Sequence, residues 1–92
     1  MQSARTREST IERKVCAAAK KAGWLVRKVT CPGHRGFPDR LFVREGYVVL
    51  VEFKRPGGKP RANQVHEHRL LMRAGLDVRV IDDAEVGVEM FG

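Results

Sequence analysis

Residues 40 to 54 carry the pattern that most restricts the fold. Arg40-Leu41-Phe42-Val43 and Tyr47-Val48-Val49-Leu50-Val51 are strand-type runs, and Glu45-Gly46 lies between them. Two such runs around a two-residue Gly-containing turn predict a β-hairpin. The second run is almost wholly apolar, the pattern of a central strand buried on both faces. A hairpin also sets the start of its first strand beside the end of its second. Asp39 and Glu52 are therefore expected to converge at one end of the sheet.

The remaining segments supply helices and two more strands. Ser9 to Ala22 reads as a helix, with Ile11, Val15, Ala18, Ala19 and Ala22 at helical spacing and Gly23 as a stop. Trp24 to Val29 reads as a short strand, and Thr30 to Pro38 as a loop with two prolines and two glycines. Pro56 to Pro60 is a second loop. Arg61 to Ala74 reads as a helix closed by Gly75, Leu76 to Ile81 as a strand, and Ala84 to Met90 as a short helix that Asp82 and Asp83 can cap. Residues 1–8 are polar and expected to be frayed. The predicted order is α-β-β-β-α-β-α: an α/β domain with a mixed central sheet, spanning residues 1–92 with no internal repeat or linker.

A chain of 92 residues makes one domain. It buries only about 60–65% of its unfolded surface, so a partner chain would help its core. Its 18 Lys and Arg exceed its 11 Asp and Glu, for a net charge of +7. Such an excess points to a polyanion, nucleic acid first; the plainer alternative is a soluble basic protein. No apolar run approaches the roughly 18–20 residues of a membrane span, and the N-terminus has no signal-peptide core. The cytoplasm is the expected location. Cys16 and Cys31 form no metal or redox spacing and are expected as free thiols.

Side chains alternate along a strand, so Glu52 and Lys54 share a face, about 7 Å apart. Two carboxylates and an ammonium on one small surface suit a hard divalent cation and a phosphate. Phosphodiester hydrolysis needs an activated water, a neutraliser for the crowded phosphate and help for the leaving oxygen, needs that Mg²⁺ meets. Mg²⁺ asks for oxygen ligands and keeps several waters, so Asp39, Glu52 and the main-chain carbonyl of Phe53 make a sufficient set. Lys54 can orient the water or steady the phosphate. The plainer alternative is a solvated Glu52–Lys54 pair on an edge strand. The apolar residues before Glu52 argue against it, because charges in a core strand need a partner or a task.

These residues resemble the PD-(D/E)XK nuclease superfamily, and within it the VRR-NUC (virus-type replication-repair nuclease) family. Pro32-Gly33-His34-Arg35-Gly36-Phe37-Pro38-Asp39-Arg40 is similar to that family's Pro-Gly-x-x-Gly-x-Pro-Asp-Arg segment, and Val51-Glu52-Phe53-Lys54-Arg55-Pro56-Gly57-Gly58 to its Glu-x-Lys segment. Gln64 matches the family's glutamine and Glu12 its first-helix glutamate. The resemblance runs from about Ser9 to Asp82. It implies a restriction-endonuclease-like core and a Mg²⁺ or Mn²⁺ site at Asp39, Glu52 and the Phe53 carbonyl. It also implies Lys54 as the catalytic lysine, Glu12 as an outer ligand through water, and Gln64 as a support for the site or a contact to the scissile strand. Ser9-x-x-Glu12 is equally a capping box, in which the glutamate returns to the helix start; both roles remain open here.

Arg35, Arg40, Arg55, Lys59 and Arg61 lie near the site residues in sequence and are expected to hold DNA phosphates without reading bases. The alternative for them is a solvated rim. His34, His66 and His68 have no zinc-like spacing and are expected at the surface or on phosphates. Trp24 begins a strand and is expected in the core.

The expected function is metal-dependent hydrolysis of DNA phosphodiester bonds. Structure-selective, junction-resolvase-like cutting is favoured, because no separate specificity domain fits in the chain. The family includes stand-alone phage and bacterial members that resemble junction-resolving enzymes, so the cytoplasm would be that of a bacterium or a phage-infected cell. Cutting both strands of a junction symmetrically needs two sites in fixed relation. A homodimer is therefore expected, drawing on some of Leu70, Leu71 and Met72. The rivals are a non-catalytic DNA-binding module and a nuclease subunit that needs a partner protein.

Overall fold

The computed structural model describes residues 7–92. Part of the segment expected to be frayed, residues 1–6, lies outside the described residues, while Glu8 already belongs to the first helix. In chain order the elements are α1 (Glu8–Lys21), β1 (Leu25–Lys28), β2 (Arg40–Arg44), β3 (Tyr47–Phe53), α2 (Ala62–Arg73), β4 (Asp77–Ile81) and α3 (Ala84–Phe91). The four strands form one sheet in the order β1-β2-β3-β4. The first two pairings are antiparallel and the third is parallel, so the sheet is mixed as expected. A parallel pair cannot be joined by a hairpin, and α2 makes the crossover.

Glu45 and Gly46 both have positive φ, 52° and 82°. That is the two-residue turn whose twist matches the flanking strands. From Arg44↔Tyr47 the register runs without a bulge to Arg40↔Val51. β3 is central, and every residue from Val49 to Phe53 is buried.

The apolar core lies on one side of the sheet. Val49, Val51 and Phe53 of β3 point there with Val26, Phe42 and Ile81, and α1 closes it with Ile11, Val15, Cys16 and Ala19. Phe91 of α3 stacks on Phe42 with ring centroids 4.3 Å apart. Trp24 packs against this cluster, its ring edge-on to Phe91 at 5.1 Å, a core role as expected. Asp83 caps α3 by accepting from the amides of Glu85 and Val86. Asp82 does not share the cap: its carboxylate accepts from the Gly57 amide at 3.2 Å and ties the loop after β3 to the end of β4. Cys16 and Cys31 are free thiols. No helix among the described residues is long and apolar enough to cross a membrane.

Candidate active site

The register of the hairpin determines how the two carboxylates meet. Carried one step beyond Arg40↔Val51, it sets Asp39 opposite Glu52. Arg44↔Tyr47 flanks a two-residue turn and is a hydrogen-bonded pair, and such pairs alternate along the ladder. The Asp39–Glu52 position is therefore of the other type, in which facing side chains come closest. Asp39 is also fixed from β1, because its carbonyl accepts from the Val29 amide at 2.9 Å. Pro38, just before Asp39, is fully buried and has no N–H to give to a neighbouring strand.

Glu52 and Lys54 point to the side of the sheet opposite the core, toward α2. Glu52 is only 6% exposed. Burial, then the neighbouring Asp39 charge, push its carboxyl up to about 7, against the pull of Lys54. Asp39 is raised as well, by burial first and by Glu12 second. Its Oδ1 is buried with no hydrogen-bond partner. Lys54 Nζ lies 3.8 Å from Glu52 Oε2, an ion pair longer than a hydrogen bond. The Lys54 amide donates to the Ile81 carbonyl at 2.9 Å, which extends the β3–β4 ladder to the lysine.

Gln64 links α2 to this cluster. Its Nε2 donates to Glu52 Oε2 at 3.1 Å, and its Oε1 accepts from the Arg61 amide at 2.8 Å at the helix start. The loop before Asp39 packs on the same helix end. A Cβ on Gly36 would stand 2.2 Å from the Asn63 carbonyl oxygen, so only glycine permits this approach. His34 in that loop faces Glu67 of α2, with Nδ1 and Oε1 3.7 Å apart.

The structure differs from sequence expectation at three places. Glu12 makes no capping box: α1 starts at Glu8 with Arg7 as its cap residue, so Ser9 already lies inside the first turn. Glu12 instead pairs with Arg40, on the core side of the sheet, and reaches the cluster only through its charge on Asp39. Arg40, grouped by sequence with the phosphate-binding cations, is half-buried against Glu12, whereas Arg35, Arg55, Lys59 and Arg61 are exposed. His68, expected at the surface or on phosphate, is 5% exposed. Its place four residues after Gln64 is the signal for this, since residues four apart share a helix face.

Among the described residues, no three His, Cys, Asp or Glu side chains gather closely enough to hold a metal ion by themselves. Two neighbouring carboxylates are nonetheless oxygen donors suited to a hard cation that keeps most of its water. The orphaned Asp39 Oδ1 and the proton-retaining Glu52 fit such a cation, because positive charge between them would offset both their burial and their repulsion.

No family model matches the chain. Over 81 residues it is 38% identical to a protein named "Putative nuclease p44" from Acyrthosiphon pisum secondary endosymbiont phage 1, covering 87% of each. A solved structure described as a VRR_NUC domain superposes with a TM-score of 0.83 at 28% identity, covering 92% of this chain and 94% of that one. With the Asp39 and Glu52-x-Lys54 segments on a matching α-β-β-β-α-β framework, the chain belongs to the VRR-NUC family.

Proposed function

We propose that the chain is a divalent-metal-dependent nuclease that hydrolyses DNA phosphodiester bonds. One observation carries the reading. Asp39, Glu52 and Lys54 converge on a sheet face where Glu52 is buried and Asp39 Oδ1 has no partner. A stable fold has no use for two repelling, desolvated carboxylates, whereas a cation-dependent site requires them.

Asp39, Glu52 and the Phe53 carbonyl would hold Mg²⁺ or Mn²⁺. When bound, the ion supplies charge neutralisation at the phosphate and a lowered pKa for water. The chain's own residues do the rest. Gln64 fixes the Glu52 carboxylate from α2 through its 3.1 Å hydrogen bond. Lys54, with a largely buried side chain, presents an ammonium to the phosphate oxygens and to the attacking water. Glu12 holds Arg40 and adds negative charge behind Asp39, which favours cation uptake.

Arg35, Arg55, Lys59 and Arg61 are exposed in the loops beside the cluster and at the start of α2, suited to phosphates on either side of the bond to be cut. Such contacts follow backbone shape, which supports selection of branched DNA, with four-way junctions as the first substrate. A homodimer would present two sites to a junction. Leu70, Met72 and Leu76 are 45%, 49% and 37% exposed and supply apolar surface for it, at the end of β3 remote from Glu52.

The test is plasmid nicking by the purified chain beside an Asp39→Ala control. Cleavage is expected with Mg²⁺ or Mn²⁺, none with EDTA, and binding without turnover with Ca²⁺. Full cleavage in EDTA would discard the chemistry. Binding without any cleavage would leave a DNA-binding module or a subunit that needs a partner. Light scattering at micromolar concentration showing only a 10.4 kDa species would refute the dimer. Flap cutting with intact four-way junctions would refute the junction preference.

A further inference from the structure

The cations of α1 lie on two different surfaces. Lys14 lines a cleft toward α3 together with Glu85 and Glu89, so carboxylates offset it there. Arg13 and Lys20 line another cleft, where α1 meets Arg40 at the start of β2, with Ser9 and Glu12 in the same wall. Glu12, the carboxylate of that cleft, is already paired with Arg40. Lys28 extends the basic surface. It is the cross-strand partner of Arg40, and both leave the sheet on the α1 side, as the pair Val26 and Phe42 does two residues away. Arg13, Lys20 and Lys28 are exposed and join no ion pair among the described residues.

This basic surface starts at the end of the sheet that holds Asp39 and Glu52 and runs back along α1. Arg13 and Lys20 are two turns apart, about 10 Å, which spans about three phosphates of one DNA strand. Arg35 and Arg61 belong to the other side of the sheet, where the loop before Asp39 packs on the start of α2.

We propose that the cleft between α1 and Arg40 is a second DNA site, which takes the phosphates of a second duplex arm while Arg35 and Arg61 hold the first. Arg13, Lys20 and Lys28 carry it. The proposal rests on the nuclease reading above and gives a preference for branched DNA its physical cause. A straight duplex laid across the sheet end meets the near parts of both cation sets, but it cannot turn to follow α1 toward Lys20. Two arms leaving a branch point can. Unpaired lysines and arginines gain from phosphates by releasing the counterions of DNA, with no base contact required. The surface of α3, with Asp83, Glu85 and Glu89, is acidic and repels the same arm, which confines it to the Arg40 side of α1.

The experiment measures binding by fluorescence anisotropy in Ca²⁺ over a series of salt concentrations. The probes are a four-way junction and a straight duplex with the same number of base pairs. For the wild-type chain, the slope of log K against log salt is expected to be steeper on the junction by about two to three for each chain bound, at roughly 0.9 per phosphate neutralised. Equal slopes would overturn the proposal. Arg13→Gln, Lys20→Gln and Lys28→Gln together should weaken junction binding about tenfold and duplex binding about twofold at most, and bring the two slopes together. Lys14→Gln, the same charge change on the α3 side of the helix, should leave junction binding at the wild-type value. An equal loss on junction and duplex in the triple variant would reduce the effect to general charge and overturn the second site. Should the triple variant not fold, the two wild-type slopes still decide. Plasmid nicking with equal slopes would keep the nuclease and discard the second site, whereas unequal slopes without any nicking would keep the second site on a DNA-binding module.

Discussion

Successive residues of β3 serve two different surfaces. Val49, Val51 and Phe53 enter a dry core between the sheet, α1 and α3. Glu52 and Lys54 enter the opposite surface, where α2 brings Gln64 over Glu52. One side holds mainly apolar groups that gain from losing water, with the Glu12–Arg40 ion pair beside them. The other holds buried groups that lose by it: two carboxylates of raised pKa and an imidazole nitrogen without a partner. The core side stabilises the fold, and the α2 side spends part of that stability on a prepared arrangement of charge.

This division can be broken by substitution on either side. The largest effect is expected at Phe42, which is fully buried and stacked on Phe91. Phe42→Ala should destabilise the chain by about 3–5 kcal/mol in urea titrations, the usual cost of deleting a core aromatic. A loss below about 1 kcal/mol would mean the core side is not where stability resides. Next is Lys54→Ala, expected to lower kcat by roughly 10²-fold or more, about 2.7 kcal/mol. DNA affinity should stay within a few-fold and the melting temperature should not fall. Wild-type turnover in that variant would make Lys54 structural.

The third prediction uses pH without metal. Glu52 has an ordinary value of 4.5 and is raised to about 7 in the folded chain. The folded state therefore binds its proton more tightly than the unfolded state does. That contribution is fully present below about pH 4.5 and lost as pH rises through about 7, a fall on the order of 3 kcal/mol. Urea midpoints in EDTA should drop across this window, and Glu52→Gln should remove most of the drop. A flat wild-type profile would show Glu52 to be better solvated than its burial implies. Asp83→Ala, which removes the α3 cap far from the site, should cost about 1 kcal/mol and leave kcat alone. The smallest effect is expected for Lys59→Ala: weaker DNA binding and a salt dependence flatter by roughly one unit of slope.

The backbone framework was legible because its signals are local. The Glu45-Gly46 turn and the apolar run after it fix a hairpin and a central strand, and these place Asp39 beside Glu52. Contacts between distant segments were not legible. Glu12 and Arg40 are 28 residues apart, and nothing near Ser9 shows that the glutamate will leave its own helix start for an arginine on β2. His68 looks like any helical histidine until the sheet beneath α2 is known.

The two-residue turn at Glu45-Gly46 also acts as a ruler. It lies about 20 Å from Asp39 along the hairpin, yet it determines which residue of β3 Asp39 will face. Because strand side chains alternate with a period of two, one residue gained or lost there would pass Glu52 across to the other surface or set it against the wrong neighbour. At its exposed positions the hairpin can exchange side chains provided its count is preserved, while Phe42, Val49 and Val51 are held by the core. Descendants of this chain are thus freer to change the exposed letters between Asp39 and Glu52 than their number, and variation in length is diverted to the loops outside the hairpin.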